Sequence, residues 1–326
     1  MTEEQKEEVE KKNPLKKEEA EIRKKIISKE DGTYSVEYKL SLVIRKQNDK
    51  IEKDLGDFEG HIRIKMSYYP DNKQIKEDSL FLNFHGKIQK MIINNKKEEN
   101  LKFELNRLYI DPTKLKANEE NIIDILFIGH YNHSGVGLHQ FIDPMDKKEY
   151  LYTQFEPYDC NRLFPCFDQP DIKAVMDLTV IAPEDWVVLG NAYECENELT
   201  PVNQSFNFSQ KTSITVEDAE QFMLKDHDII NKKYMYHKFK PTPRISTYLY
   251  ALCAGPYYCI KCPFEFNIPL KLYMRESLKD YGEPNEIFKV TIAGMKFYSK
   301  YFGYEFPFDK YDQIFCPEYS KLYINI

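Results

Sequence analysis

From Val36 the chain alternates between apolar and polar positions: Val36, Tyr38, Leu40, Leu42 and Ile44 recur with period two. Successive side chains of a strand point to opposite faces, so this spacing predicts a half-buried strand. Ile62, Ile64, Met66 and Tyr68 repeat the pattern, and Leu80, Leu82 and Phe84 do so again. Further strands are expected at Ile123-Ile125-Phe127, Met176-Leu178-Val180, Trp186-Leu189, Phe206-Phe208 and Leu249-Cys253. Turn formers separate them at Pro70-Asp71-Asn72, Asp111-Pro112 and Pro183-Glu184-Asp185. Many short strands with such breaks predict a mainly β domain over residues 31–265, an antiparallel sandwich of two packed sheets.

Both ends depart from this period. Residues 1–30 are highly charged, with Leu15, Ile22, Ile26 and Ile27 as a thin apolar stripe at helical spacing. That stripe predicts a solvated helix docked weakly on the domain behind it. After about residue 265, Leu270, Leu272 and Met274 predict one more strand. Pro284 suits the first turn of a helix and Gly303 its end, with Ile287, Val290, Gly294, Phe297 and Tyr301 marking one face. A long helix after a β domain predicts that residues 266–326 open a second, α/β domain.

Composition narrows the class. Among 326 residues, 21 Phe and 24 Tyr supply a core, which argues against disorder. A net charge of −7 lacks the clustered basic excess of a nucleic-acid footprint. Met1 to Lys12 is charged throughout, without the apolar stretch of a signal peptide, and no window reaches the apolar length of a membrane span. Seven cysteines without a framework suit a reducing compartment, so the expected location is cytoplasmic. The single C-x-x-C, Cys259 to Cys262, has no second ligand pair and lies between Pro256 and Pro263; a structural role is expected for it.

The most distinctive segment is Tyr152-Thr153-Gln154-Phe155-Glu156-Pro157-Tyr158-Asp159, continuing through Arg162 and Phe164-Pro165-Cys166-Phe167-Asp168-Gln169-Pro170. It resembles, without gaps, the T-Q-F-E-x-x-D-x-x-R-x-F-P-C-F-D-x-P block of the aminopeptidase N family, zinc metallo-aminopeptidases of the gluzincin type. Gly137-Leu138-His139 with Asp143-Pro144 is similar to the strand leading into that block. Ser246-Thr247-Tyr248-Leu249 and Ala254-Gly255-Pro256-Tyr257 resemble the end of the family's N-terminal β domain, and Leu15, Glu19-Ala20 and Arg23 its opening helix. Phe302 to Gln313 and Pro317-Glu318-Tyr319 resemble the approach to the family's zinc site. The resemblance runs from about residue 15 to 319 and implies a saddle-like N-terminal β domain. On the same ground, residues 266–326 read as the truncated start of a thermolysin-like catalytic domain.

The resemblance also implies roles. In the family, the Glu of this block shares the substrate's free N-terminus with the Glu of a downstream G-A-M-E-N motif, and the Gln lines the pocket for the first side chain. By position these are Glu156 and Gln154, the expected substrate-binding residues. Arg162 and Asp168 are expected to form a structural pair holding the loop, and Cys166 an inert buried thiol. Peptide N-termini are the implied ligand and zinc the cofactor of the complete enzyme. None of the seven histidines begins an H-E-x-x-H, however, and His130 with His133 has no accompanying carboxylate motif. No metal or cofactor is therefore expected in this chain, and no catalytic residue. It is expected to be inactive alone, with a non-catalytic peptide-binding or interaction protein, or one half of a split aminopeptidase, as alternatives. The family pattern fails abruptly at Ser320–Ile326, where Lys321–Ile326 can be written almost wholly in A and T, as translated intron would be.

Overall fold

The computed structural model describes residues 15–47, 57–70, 80–202, 206 and 233–318. Of the strand expected at Phe206-Phe208 only Phe206 is among them, and Ser320–Ile326 lies outside. Helix α1 (Lys17–Ile27) precedes strands β1 (Val36–Ile44), β2 (Phe58–Ser67), β3 (Phe81–Asn83), β4 (Lys87–Ile93) and β5 (Lys96–Lys97). Next come β6 (Phe103–Glu104), β7 (Arg107–Tyr109), β8 (Glu120–Gly129), β9 (Gly137–Ile142) and β10 (Glu149–Gln154). The chain continues through β11 (Val175–Pro183), β12 (Val187–Gly190), β13 (Thr200–Pro201), β14 (Tyr234–Lys238) and β15 (Leu252–Gly255). It ends with β16 (Tyr258–Lys261), β17 (Leu270–Met274), helix α2 (Pro284–Phe302) and β18 (Tyr311–Ile314).

The protein is mainly β, as the period-two pattern requires. An eight-stranded sheet runs in the order β13-β14-β11-β1-β2-β8-β4-β5. A second, β12-β15-β10-β9, packs on it, and their inner faces share one core that includes Leu40, Met176, Val180, Leu138, Leu151 and Leu252. Pairing is antiparallel except at the centre, where β1 runs parallel to β11 with Leu40 opposite Leu178. A parallel neighbour needs a long crossover, and most of the domain intervenes between these two strands. The expected half-buried pattern holds over one half of the central strands, where Glu37, Lys39, Arg63 and Lys65 alternate with core residues and stay partly exposed. It is corrected over the other half: Ser41, Val43, Glu59, His61 and Ile181 are buried on the side opposite the shared core, so the strands there are covered on both faces.

Helix α1 also departs from expectation. It is firmly seated: Arg23, Ile26 and Ile27 have no exposed surface. The Arg23 guanidinium lies over the rings of Phe81 and Phe167 at 4.9 and 5.8 Å. It donates to Asn83 Oδ1 at 2.7 Å and Gln169 Oε1 at 3.1 Å. Glu19 accepts two bonds from Arg107, at 2.9 and 3.0 Å, locking the helix a second time. Counting apolar residues missed this anchor because its buried element is a cation satisfied largely by neutral oxygens.

The outer face of β10 and β15 carries a third layer. Tyr150, Tyr152, Leu189 and Cys253 pack against Tyr273 and Ile314 of the β16-β17-β18 sheet and against Tyr257 and Cys316, which flank it in the chain. The strand and helix expected after residue 265 are present, and a further strand follows them, with β17 and β18 parallel and α2 between them. Pro284 opens α2 and Gly303 closes it at φ 64°, a left-handed turn that glycine enters without a Cβ penalty. The packed face of α2 differs from the one expected. Phe288 is buried with Ile292 and Met295 beside it, while Val290, Phe297 and Tyr301 are exposed. Asn285, Lys289, Lys296 and Lys300 share one polar side and apolar residues spread over most of the rest, so periodicity alone could not choose which part of that wide arc would pack.

Asp143 ties the third layer to the turn after β9. Fully buried, it accepts from Arg275 Nη1 at 3.0 Å, from the Ser277 hydroxyl and from the Met145 N–H at 2.8 Å. Burial alone would raise its pKa, but these donors outweigh it and hold the carboxyl below its ordinary value. Such a group contributes stability that is complete above its unfolded pKa near 3.8 and is lost as pH falls through the lower folded value. Asp143→Ala should therefore loosen residues 256–318. Limited proteolysis should cut there several-fold faster than in the wild type while residues 80–202 persist; equal cutting would refute the lock.

Candidate functional site

Strand β10 pairs with β9 so that Tyr152 faces His139 and Gln154 faces Gly137, and with β15 so that Tyr152 faces Cys253. Tyr150, Tyr152 and Gln154 therefore share one face. The strand ends at Gln154, whose side chain is buried. Its Oε1 accepts the Glu156 N–H at 3.3 Å, while its Nε2 is buried without a partner. Glu156 Oε2 is likewise buried and unpartnered, and the Glu156–Pro157 peptide is cis. The two residues singled out in the sequence are thus adjacent, and each holds an unsatisfied polar atom in a structure that satisfies most of its others.

The remainder of the block is framework. Asp168, 1% exposed, accepts the Asn161 N–H at 2.9 Å, Asn161 Nδ2 at 2.7 Å and the Thr247 hydroxyl at 2.9 Å. Burial pushes its pKa up against the pull of those donors. Arg162 pairs instead with Asp159, at 2.8 Å. The expected Arg162–Asp168 pair is replaced by two separate locks, because the short helical turn Cys160–Arg162 directs Arg162 back along its own turn. Gly137 is required opposite: at φ 69°, a Cβ there would lie 2.8 Å from Arg162 Cβ. Cys166 is fully buried, its thiol raised by that burial, and its backbone bridges Asn83. A cleft of about 660 Å³ opens beside Gln154, bordered by Tyr248, Phe308, Lys310, Asp312 and Phe315.

Residues 34–216 match the Peptidase M1 N-terminal domain. The chain belongs to the M1 peptidase family. Aminopeptidase N of Streptomyces lividans is 36% identical over 203 residues, 61% of this chain and 20% of that protein. Aminopeptidase N of Canis lupus familiaris is 26% identical over 208 residues, 63% and 19% of the two chains. Aminopeptidase 2 of Candida albicans is 27% identical over 198 residues, 60% and 18%. This M1 chain thus spans about a fifth of the length of these relatives.

Zinc, the cofactor that the resemblance implies for a complete enzyme, finds no ligand set in the M1 residues described. Among them no group of three or more His, Cys, Asp or Glu could hold a metal ion. His133 Nδ1 lies 3.2 Å from the Gln140 carbonyl, and His130 stands 3.6 Å from Asp57. Cys259 and Cys262 lie on and just after the edge strand β16. No helix among the described residues is long and apolar enough to cross a membrane.

His139, marked in the sequence only as part of the strand leading into the block, is 1% exposed and beside Tyr152, with ring centroids 5.0 Å apart. The Gly135 N–H donates to its Nδ1 at 3.1 Å, which places the ring proton on Nε2. That atom faces Glu318 Oε2 at 3.5 Å, too long for a good hydrogen bond. Burial lowers the His139 pKa, so the ring is a neutral donor. The Tyr152 hydroxyl donates to the Pro317 carbonyl at 2.8 Å, holding the segment after β18 over the same face. The available signal was β10 itself: Tyr150, Tyr152 and Gln154 make a polar-tipped face where a purely structural strand would carry aliphatics.

Proposed function

We propose that this chain is the substrate-engaging front part of a zinc-dependent aminopeptidase that releases N-terminal residues from peptides. One observation carries the reading: Gln154 Nε2 and Glu156 Oε2 are buried without partners at the end of β10. A carboxylate oxygen withdrawn from water and left unpaired is costly, and an α-ammonium group is the ligand that would offset that cost with a charge-assisted hydrogen bond. Glu156 would hold the free N-terminus, and Gln154, on the wall of the cleft, would border the first side chain. Hydrolysis needs metal ligands that the described residues do not supply, so turnover is assigned to a further segment or a separate catalytic half. The same unpartnered Gln154 Nε2 and Glu156 Oε2 also suit a second reading, a peptide-binding protein without turnover. We place either protein in the cytoplasm.

The test uses the chain itself. A short peptide with a free N-terminus should shift the Gln154 side-chain amide resonance in titrations followed by NMR, and its Nα-acetylated form should not. Glu156→Gln should weaken that binding about tenfold or more, since a hydrogen bond to a charged group contributes about 1.5–3 kcal/mol. Indifference to acetylation, or to Glu156→Gln, would remove the assignment.

A further inference from the structure

Cys253 and Cys316 meet across two layers. Cys253 lies on β15 opposite Tyr152 of β10. The Tyr152 hydroxyl in turn holds the carbonyl of Pro317, the residue after Cys316. Both cysteines are free thiols, both belong to the aromatic cluster between the four-stranded and three-stranded sheets, and both line the cleft beside Gln154. We propose that Cys253 and Cys316 form an oxidation-sensitive pair whose disulfide fastens the β16-β17-β18 sheet to the wall of the Gln154 cleft. The ring so closed contains β16, β17, α2 and β18, so the link would restrain the whole third layer.

The co-reactant is a small disulfide of the glutathione class. One thiolate attacks it, forming a mixed disulfide and releasing one glutathione thiolate. The second cysteine then displaces the other glutathione. Two protein thiols become one disulfide, one glutathione disulfide becomes two thiols, and the protons are conserved between them. The Cys253 thiol and burial together raise the Cys316 pKa, so its thiolate is scarce near neutrality. Because the thiolate is the nucleophile, the link should form slowly at pH 7 and faster as pH rises. Cys160 and Cys166 are also neighbours, but both are fully buried and neither lines the cleft.

The native 326-residue chain, incubated with glutathione disulfide at pH 7 and pH 9, is digested without reduction and read by mass spectrometry. The expected product is one cross-linked peptide pair containing Cys253 and Cys316, formed about tenfold faster or more at pH 9, as thiolate control requires. Cys253→Ser and Cys316→Ser should each abolish it, and matching thermal melts of both variants and the wild type would show that the loss is chemical. Glutathione adducts alone, a Cys160–Cys166 or Cys259–Cys262 link as the main product, or no reaction would overturn the proposal.

Discussion

Arg23→Ala is expected to remove about 3–5 kcal/mol of stability, a large share of what holds such a domain together. The side chain has no exposed surface and fills the space between Phe81 and Phe167. Truncation therefore leaves a void and strips Asn83 Oδ1 and Gln169 Oε1 of their donor in a place water does not reach. The guanidinium itself is not ideally housed. Burial depresses its pKa to about 10, and Nη2 has no partner among the described residues. This separates two contributions. Arg23→Met keeps most of the volume, relieves the buried charge and leaves only the acceptors wanting, so it should lose about 1–3 kcal/mol. Urea unfolding at constant m-value would measure both. A loss below about 1 kcal/mol for Arg23→Ala would mean that α1 is a loosely docked lead-in after all.

How far the sequence disclosed this molecule depends on which physical signal each element carries. Strands β1, β2 and β8 were legible because one face of each builds the shared core and the pleat enforces period two. Helix α2 was legible at its ends, where Pro284 and Gly303 have few other uses, but not in its orientation, since its apolar arc is wider than the strip that packs. Nothing local in β1 or β11 announces that they lie parallel and adjacent, because that contact is decided by the crossover between them. Arg23 was hidden by its charge. His139 was hidden by its ambiguity, as a lone histidine in a strand says nothing of its tautomer until Gly135 is seen donating to Nδ1. Gln154 and Glu156 were legible only through the block around them. Their unpartnered atoms are a property of the folded loop.

That loop can be tested at its keystone. Asp168→Ala should cost about 3–5 kcal/mol, because it orphans the Asn161 N–H and the Thr247 hydroxyl in a buried site and leaves Asn161 Nδ2 with the Tyr158 carbonyl alone. It should also abolish discrimination between free and acetylated N-termini, since Glu156 sits on the segment those bonds hold in place. Asp168→Asn keeps the shape and one acceptor oxygen, turns one acceptor into a donor, and should lie between the two. The wild type and this variant should also differ with pH. Burial raises the folded pKa of Asp168 above its unfolded value near 3.8, so within that window the folded state holds the proton more tightly. As pH falls through the folded value toward 3.8, the wild type should gain stability relative to Asp168→Asn. Carboxylates with lowered values, such as Asp143, act in the opposite direction in both proteins and cancel in the comparison. A difference independent of pH would mean that Asp168 is charged in the folded state without penalty. The loop would then rest on electrostatic attraction to Arg23 more than on the count of accepted bonds.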